Sequence, residues 1–156
     1  MRINYQDQGV IMKIRILLVD DEKEFVETLA ERLRTRGFHV TEAYTGDEAL
    51  ETLKDYNFDV TILDVQMPGM GGMEALGAIK KLKPLTEVLM LTGHGTIETA
   101  IEGMKMGAFD FLIKPCKIDV LLEKINGAYE RKSEHEERIR KAMVDKLSTS
   151  PMSILE

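Results

Sequence analysis

From Ile14 onward the chain alternates short apolar runs with amphipathic helical patterns five times over, and few folds satisfy that rhythm. Parallel strands need a helical crossover between them, so five such units predict a parallel sheet with helices on both faces. The expected strands are Ile14–Val19, Phe38–Ala43, Asp59–Leu63, Glu87–Leu91 and Phe109–Ile113. Polar residues interrupt the second (His39, Thr41, Glu42) and the fifth (Asp110), so those two are expected at the sheet edges. An order of 2-1-3-4-5 puts them there and brings the ends of strands 1 and 3 together at a topological switch point. The fold class is therefore α/β, doubly wound and flavodoxin-like.

The helices carry their own punctuation. Phe25, Val26, Leu29 and Leu33 form the apolar stripe of helix 1, and Gly37 stops it after Arg34 and Arg36. Thr45 with Glu48 reads as a capping box opening helix 2, whose Ala49, Leu50 and Leu53 face inward. Helix 3 runs from about Gly72 to Leu82 and ends before Pro84. Helix 4 spans about Thr96 to Met106, with Ile97, Ala100, Ile101 and Met104 expected inward and Gly107 as its stop. Gly77 and Gly103 each cost a helix roughly 1 kcal/mol against Ala, so helix 4 is expected to be somewhat mobile.

Helix 5 begins after Pro115 with the stripe Ile118, Leu121, Leu122 and Ile125, then continues past the point where the sheet is complete. Residues 130–140 (ERKSEHEERIR) are almost wholly charged, and Ile139, Met143 and Leu147 resume a sparse apolar spacing. That segment reads as a solvated extension, a short dimeric coiled coil or a linker. The chain thus divides into residues 1–11, a disordered lead-in or alternative start; 13–127, the domain; 128–147, the extension; and 148–156, a disordered tail.

Composition narrows the function classes. The 156 residues are 44% hydrophobic and 31% charged, ordinary values for a globular chain that can bury a core. A formal charge of −6 with no basic block gives no electrostatic footprint for nucleic acid or an anionic membrane. The apolar runs are too short to span a bilayer. Cys116 is the sole cysteine, which fits a reducing, cytoplasmic setting and supplies no metal cluster.

The chemistry collects at the strand ends. Asp20 and Asp21 follow strand 1, Asp64 ends strand 3 ahead of Pro68 and Gly69, Thr92 follows strand 4 and Lys114 follows strand 5. In a parallel sheet all these ends share one edge. Each residue alone has a plain explanation as an N-cap, a turn or a solvated loop. Their conjunction is what demands chemistry. Two carboxylates ~4 Å apart repel by roughly 4 kcal/mol at an effective dielectric of ~20, so three of them call for a cation. An all-oxygen donor set favours Mg²⁺. An Asp beside Mg²⁺ and a Lys is equipped to attack a phosphoryl group and hold it as an aspartyl phosphate, with Thr92 and Lys114 binding its oxygens.

The segments LLVDDE (17–22), ILDVQMPGMGG (62–72), LTGHG (91–95) and AFDFLIKP (108–115) closely resemble the receiver domain of two-component response regulators. The resemblance covers residues 13 to about 127. It implies that Asp64 is the phosphoacceptor, that Asp21 and Asp64 bind Mg²⁺ together with the Gln66 carbonyl, and that Asp20 assists through water. It further implies that Thr92 and Lys114 read the phosphoryl group, that Lys114-Pro115 is cis, that Phe111 is the switch aromatic, and that Gln66 and His94 flank the attacking water and tune lifetime. The implied donor is a sensor histidine kinase or phosphotransfer protein. The loops LTGHG and GAFDFLIKP look like those of regulators with σ54-type or LuxR-type output domains.

Phosphorylation adds about −1.5 to −2 charge at the strand ends; drawing Thr92 toward it would let Phe111 turn inward and remodel helix 4 and strand 5. Homodimerisation through helix 4, strand 5 and helix 5, or through the extended helix 5, is expected as one route of output. A Mg²⁺-dependent phosphohydrolase is the alternative, but its general acid would be an Asp two residues after the nucleophile, where this chain has Gln66. A flavin or nucleotide module would need a Gly- or Ser/Thr-rich loop after strand 1 in place of Asp20-Asp21-Glu22. No DNA-binding motif fits the residues beyond the domain.

Overall fold

The computed structural model describes residues 13–67, 69–93 and 96–149; the expected lead-in 1–11, His94 and the tail beyond 149 lie outside the described residues. Five strands, β1 (Arg15–Val19), β2 (His39–Ala43), β3 (Val60–Leu63), β4 (Glu87–Thr92) and β5 (Asp110–Ile113), alternate with α1 (Lys23–Thr35), α2 (Gly46–Asp55), α3 (Gly72–Leu82), α4 (Ile97–Lys105) and α5 (Ile118–Thr149). All pairings are parallel and the order is β2-β1-β3-β4-β5. The central strands β1, β3 and β4 are buried almost throughout, whereas β2 alternates and β5 is half-exposed. Polar interruptions thus mark the edges.

Helix punctuation follows the sequence. The Thr45 hydroxyl accepts from the Glu48 amide, and Glu48 reaches back to the Tyr44 amide at 2.8 Å, so α2 opens with reciprocal caps. Gly37 and Gly107 end their helices with positive φ, 91° and 103°, where a Cβ would be strained.

The sheet separates two apolar layers. On one side α1 and α5 bury Val26, Leu29, Leu33, Leu121 and Ile125 against Ile16, Leu18, Ile62 and Leu89. On the other, α2 and α3 bury Ala49, Leu53, Leu76 and Ile79 against Leu17, Val19, Leu63 and Met90.

Helix α4 departs from the expectation. Ile97, Ile101 and Met104 are exposed by 80%, 50% and 45%, and Ala100 is only partly covered. The buried residue of α4 is Gly103, where a Cβ would stand 2.4 Å from the Met90 sulfur. The helix therefore rests on β4 through its smallest residue, and that close approach turns its large apolar residues outward. Hydrophobic spacing reported the presence of a stripe, not the side that packs.

Helix α5 is one continuous helix of 32 residues, roughly 48 Å at 1.5 Å per residue. Its fifth turn region is pinned to the sheet by Lys132 and Asp59 at 2.8 Å. Arg131 Nε also approaches Glu87 Oε2 at 3.7 Å, too far for a hydrogen bond, so that buried oxygen has none. Beyond Glu136 every described side chain is exposed, Ile139, Met143, Val144 and Leu147 included.

Candidate functional site: carboxylates at the strand ends

The site is assembled by pairing that runs one residue past the strands. The Asp20 amide donates to the Ala43 carbonyl (3.1 Å), the Asp64 amide to that of Val19 (2.9 Å) and the Lys114 amide to that of Thr92 (2.8 Å). Asp20, Asp64 and Lys114 are thereby each fixed to a neighbouring strand's backbone at the sheet rim. Asp20 and Asp64 are 2% and 5% exposed, Thr92 is buried, and Asp21 is open to solvent. One carboxylate oxygen from each of Asp20, Asp21 and Asp64 lies within 4.8 Å of the others.

Lys114 reaches into this cluster from β5. Its ammonium donates to Asp20 Oδ2 at 2.5 Å and lies 3.6 Å from Glu22 Oε1 and 3.8 Å from Asp64 Oδ2. The Glu22 amide donates to Asp20 Oδ1 and the Gln66 amide to Asp64 Oδ1, at 2.9 and 3.2 Å. One ammonium thus faces three carboxylates, Glu22 among them. The Lys114-Pro115 peptide bond is cis.

Burial, and then the neighbouring Asp20 charge, push the Asp64 carboxyl above its ordinary pKa; hydrogen bonds from Thr92 and the Gln66 amide and the Lys114 charge pull the other way without cancelling the rise. Burial pulls the Lys114 pKa down, but its hydrogen bond to Asp20 and the surrounding carboxylates outweigh this and raise it. Lys114 stays charged. The balance leaves an acidic site short of positive charge, with an all-oxygen donor set suited to a hard divalent cation.

The loop from Asp64 to α3 is held by Gly72. Its amide donates to the Val65 carbonyl at 2.9 Å, and a Cβ there would stand 2.4 Å from both the Asp64 carbonyl oxygen and Val65 Cα. Only glycine admits that approach. Gln66 is exposed beside Asp64, and Phe111 packs half-buried against Met90's side of the sheet.

The structure brings Asp20, Asp21, Asp64, Thr92, Lys114 and Gln66 together and sets Phe111 on the adjoining strand. Sequence reading missed three neighbours. Glu22 sits directly after the acidic pair, which was a usable signal. Gly72 was read only as a helix start, although its loop folds back onto Asp64 and Val65, and Phe25 only as a core residue, although its ring lies 4.1 Å from the Lys114 ammonium.

Fold and site together define a doubly wound α/β domain with an acidic, oxygen-lined centre at its topological switch point. The profile of the response regulator receiver domain matches residues 16–126, and the chain belongs to that family. It is 40% identical over 116 residues to the transcriptional regulatory protein ZraR of Salmonella typhimurium, covering 74% of this chain and 26% of that protein. It is 37% identical over 130 residues to the transcriptional regulatory protein GlrR of Escherichia coli, covering 83% and 29%. The chain therefore spans a little over a quarter of the length of these relatives. Among solved structures, a CheY-like receiver domain protein from Methanospirillum hungatei has a TM-score of 0.76 at 29% identity, covering 79% of this chain and 98% of that one. A receiver domain protein from Clostridium thermocellum has a TM-score of 0.73 at 38% identity, covering 77% and 97%. The chain is thus a receiver domain of two-component signal transduction.

Proposed function

We propose that Asp64 is the phosphoacceptor, taking a phosphoryl group from a sensor histidine kinase or phosphotransfer protein of the cytoplasm. The observation that carries this reading is the placement of a buried Asp64 oxygen between the Asp20 and Asp21 carboxylates and the Lys114 ammonium. An Asp64 Oδ attacks phosphorus, the bond from phosphorus to the donor breaks, and its electron pair leaves with the donor group. Thr92 donates its hydroxyl, and Lys114 its N–H groups, to the phosphoryl oxygens. Asp21, Asp64 and the Gln66 carbonyl would hold Mg²⁺, with Asp20 acting through water; when bound, the ion supplies charge neutralisation for the incoming phosphate. Gln66 and His94 tune the later hydrolysis, in which water attacks phosphorus, the bond from phosphorus to Asp64 breaks and the carboxylate is regenerated.

Phosphorylation and dephosphorylation are both self-catalysed, and the chain acts as a signalling phosphoacceptor whose output is the modified state. Phe111 follows Thr92 toward the site, and the face of α4, β5 and α5 passes the change on. The names of the relatives suggest that the whole protein regulates transcription, through an output region or a partner reached by the extended α5, which also offers a route to a homodimer. Nothing in the geometry favours the phosphohydrolase alternative, since Gln66 has no carboxyl to act as its acid.

Incubation with acetyl phosphate and Mg²⁺, followed by intact mass and light scattering, tests this reading. The wild type is expected to gain the mass of one phosphoryl group and Asp64→Asn none. An adduct that survives Asp64→Asn would sink it, whereas a folded wild type that gains nothing from acetyl phosphate would sink the small-donor reaction and leave strict dependence on a partner kinase or a scaffold that only looks like a receiver.

A further inference from the structure

The Lys114 ammonium has a fourth neighbour besides its three carboxylates. It stands 4.1 Å from the centre of the Phe25 ring, on the first turns of α1. The ring is itself half-buried against the α1/α5 layer, which fixes its orientation. We propose that Phe25 is a positioning residue: its ring face holds Lys114 at the rim of the acidic cluster, on a partner that is not an oxygen a divalent cation needs.

The argument is one of competition. Lys114 and a divalent cation both seek the oxygens of Asp20 and Asp64, and two cations in one site repel. A cation arriving at the carboxylates loosens the lysine from Asp20. The lysine side chain is only 13% exposed, so water offers it little compensation. The negative face of an aromatic ring attracts an ammonium most strongly when solvent is scarce, and does so without occupying a carboxylate. Leu at position 25 would fill the same layer but present the ammonium with an apolar wall. With the ring in place, one site accommodates both cations, and Lys114 stays within reach of a phosphoryl oxygen. That last consequence rests on the proposed phosphoryl transfer; the contact and its effect on cation binding do not.

Two measurements on the full chain separate these layers, using Phe25→Leu and Phe25→Tyr, with thermal unfolding as the folding control. In NMR spectra without cation or phosphodonor, the Lys114 ε-methylene protons are expected to lie upfield in wild type and Phe25→Tyr, and to return to ordinary positions in Phe25→Leu. In a Mg²⁺ titration, Phe25→Leu is expected to bind about fivefold more weakly, with Phe25→Tyr within about twofold of wild type. An unshifted lysine in wild type overturns the contact. Equal Mg²⁺ affinity in all three proteins, or equal loss in Leu and Tyr, overturns the positioning role and leaves packing alone. Neither measurement uses a phosphodonor, so a failure of Asp64 to label counts against the receiver chemistry and not against Phe25.

Discussion

The two layers beside the sheet are built from different materials. Among the described residues, the α1/α5 layer is mainly Ile, Leu and Val with a few aromatics and no methionine, whereas the α2/α3 layer gathers Met67, Met70, Met73, Met90 and Met106. Branched aliphatics hold few rotamers and pack in one way; methionine is unbranched, with three rotatable bonds, and fills irregular gaps. Three glycines sit against that methionine layer, Gly103 over Met90, Gly77 over Met106 and Gly46 over Met70. The α1/α5 layer is also tied down by ion pairs at the opposite edge of the sheet from the site, through Lys132 to Asp59. One layer is a frame, and the other can be rearranged at modest cost. Phe111 lies on the second. A phosphorylation switch acting through Phe111 and α4 would thus work on the side of the molecule most easily repacked.

Core truncation should show the largest contrast. Ile125→Ala, in the frame, is expected to lose about 2–5 kcal/mol of unfolding free energy, because the rigid neighbours cannot close the cavity. Met90→Ala, the matching truncation on the other side, should fall at the low end of that range, about 2 kcal/mol, because flexible methionine neighbours can move into the space. Urea unfolding of both variants measures the difference. Equal losses would mean that the methionine layer is as rigid as the frame and would break the comparison.

The glycines sharpen it at a smaller scale. Gly72→Ala drives a Cβ against the backbone of Asp64 and Val65, which cannot yield, so roughly 1–3 kcal/mol should be lost, together with labelling by acetyl phosphate. Gly103→Ala meets the Met90 sulfur at the same 2.4 Å, but a flexible thioether can rotate aside. With the better helix propensity of Ala offsetting the repacking, the net change should stay within about 1 kcal/mol. The same nominal clash should therefore have different outcomes according to what it strikes. A Gly103→Ala loss as large as that of Gly72→Ala would show that α4 is seated as tightly as the loop that carries Asp64.

Much of this was legible from residues alone, for physical reasons. Strand order followed from which apolar runs were interrupted: β2 carries His39, Thr41 and Glu42 and β5 carries Asp110, and both lie at the sheet edges. The convergence of Asp20, Asp64, Thr92 and Lys114 followed from parallel topology, which brings every strand end to one rim. Phe25 was misread because its contact is with Lys114, on a strand end far away in sequence, and Gly72 because the folding back of its loop onto Asp64 and Val65 leaves no mark in hydrophobic spacing. The outward turn of α4 was hidden for a related reason: an amphipathic pattern fixes the direction of a stripe relative to the helix axis, while the approach of Gly103 to Met90 fixes the helix relative to the sheet.

That orientation gives the smallest expected effect and a sensitive test. Ile101 is half-exposed and lies beside Ile97 and Met104 on the outward line of α4. If the stripe faced the sheet, as its spacing suggests, Ile101→Lys would bury a charge without a partner and cost several kcal/mol. With the stripe outward, the lysine stays in water, helix propensity is slightly improved, and stability should change by no more than about 0.5 kcal/mol. Thermal unfolding of Ile101→Lys separates the two arrangements, and Leu76→Lys, beneath α4 on the buried face of α3, supplies the contrast expected of a side chain that truly points inward. A severe loss at Ile101 would place the apolar side of α4 against the methionine layer and make that layer as closed as the frame opposite.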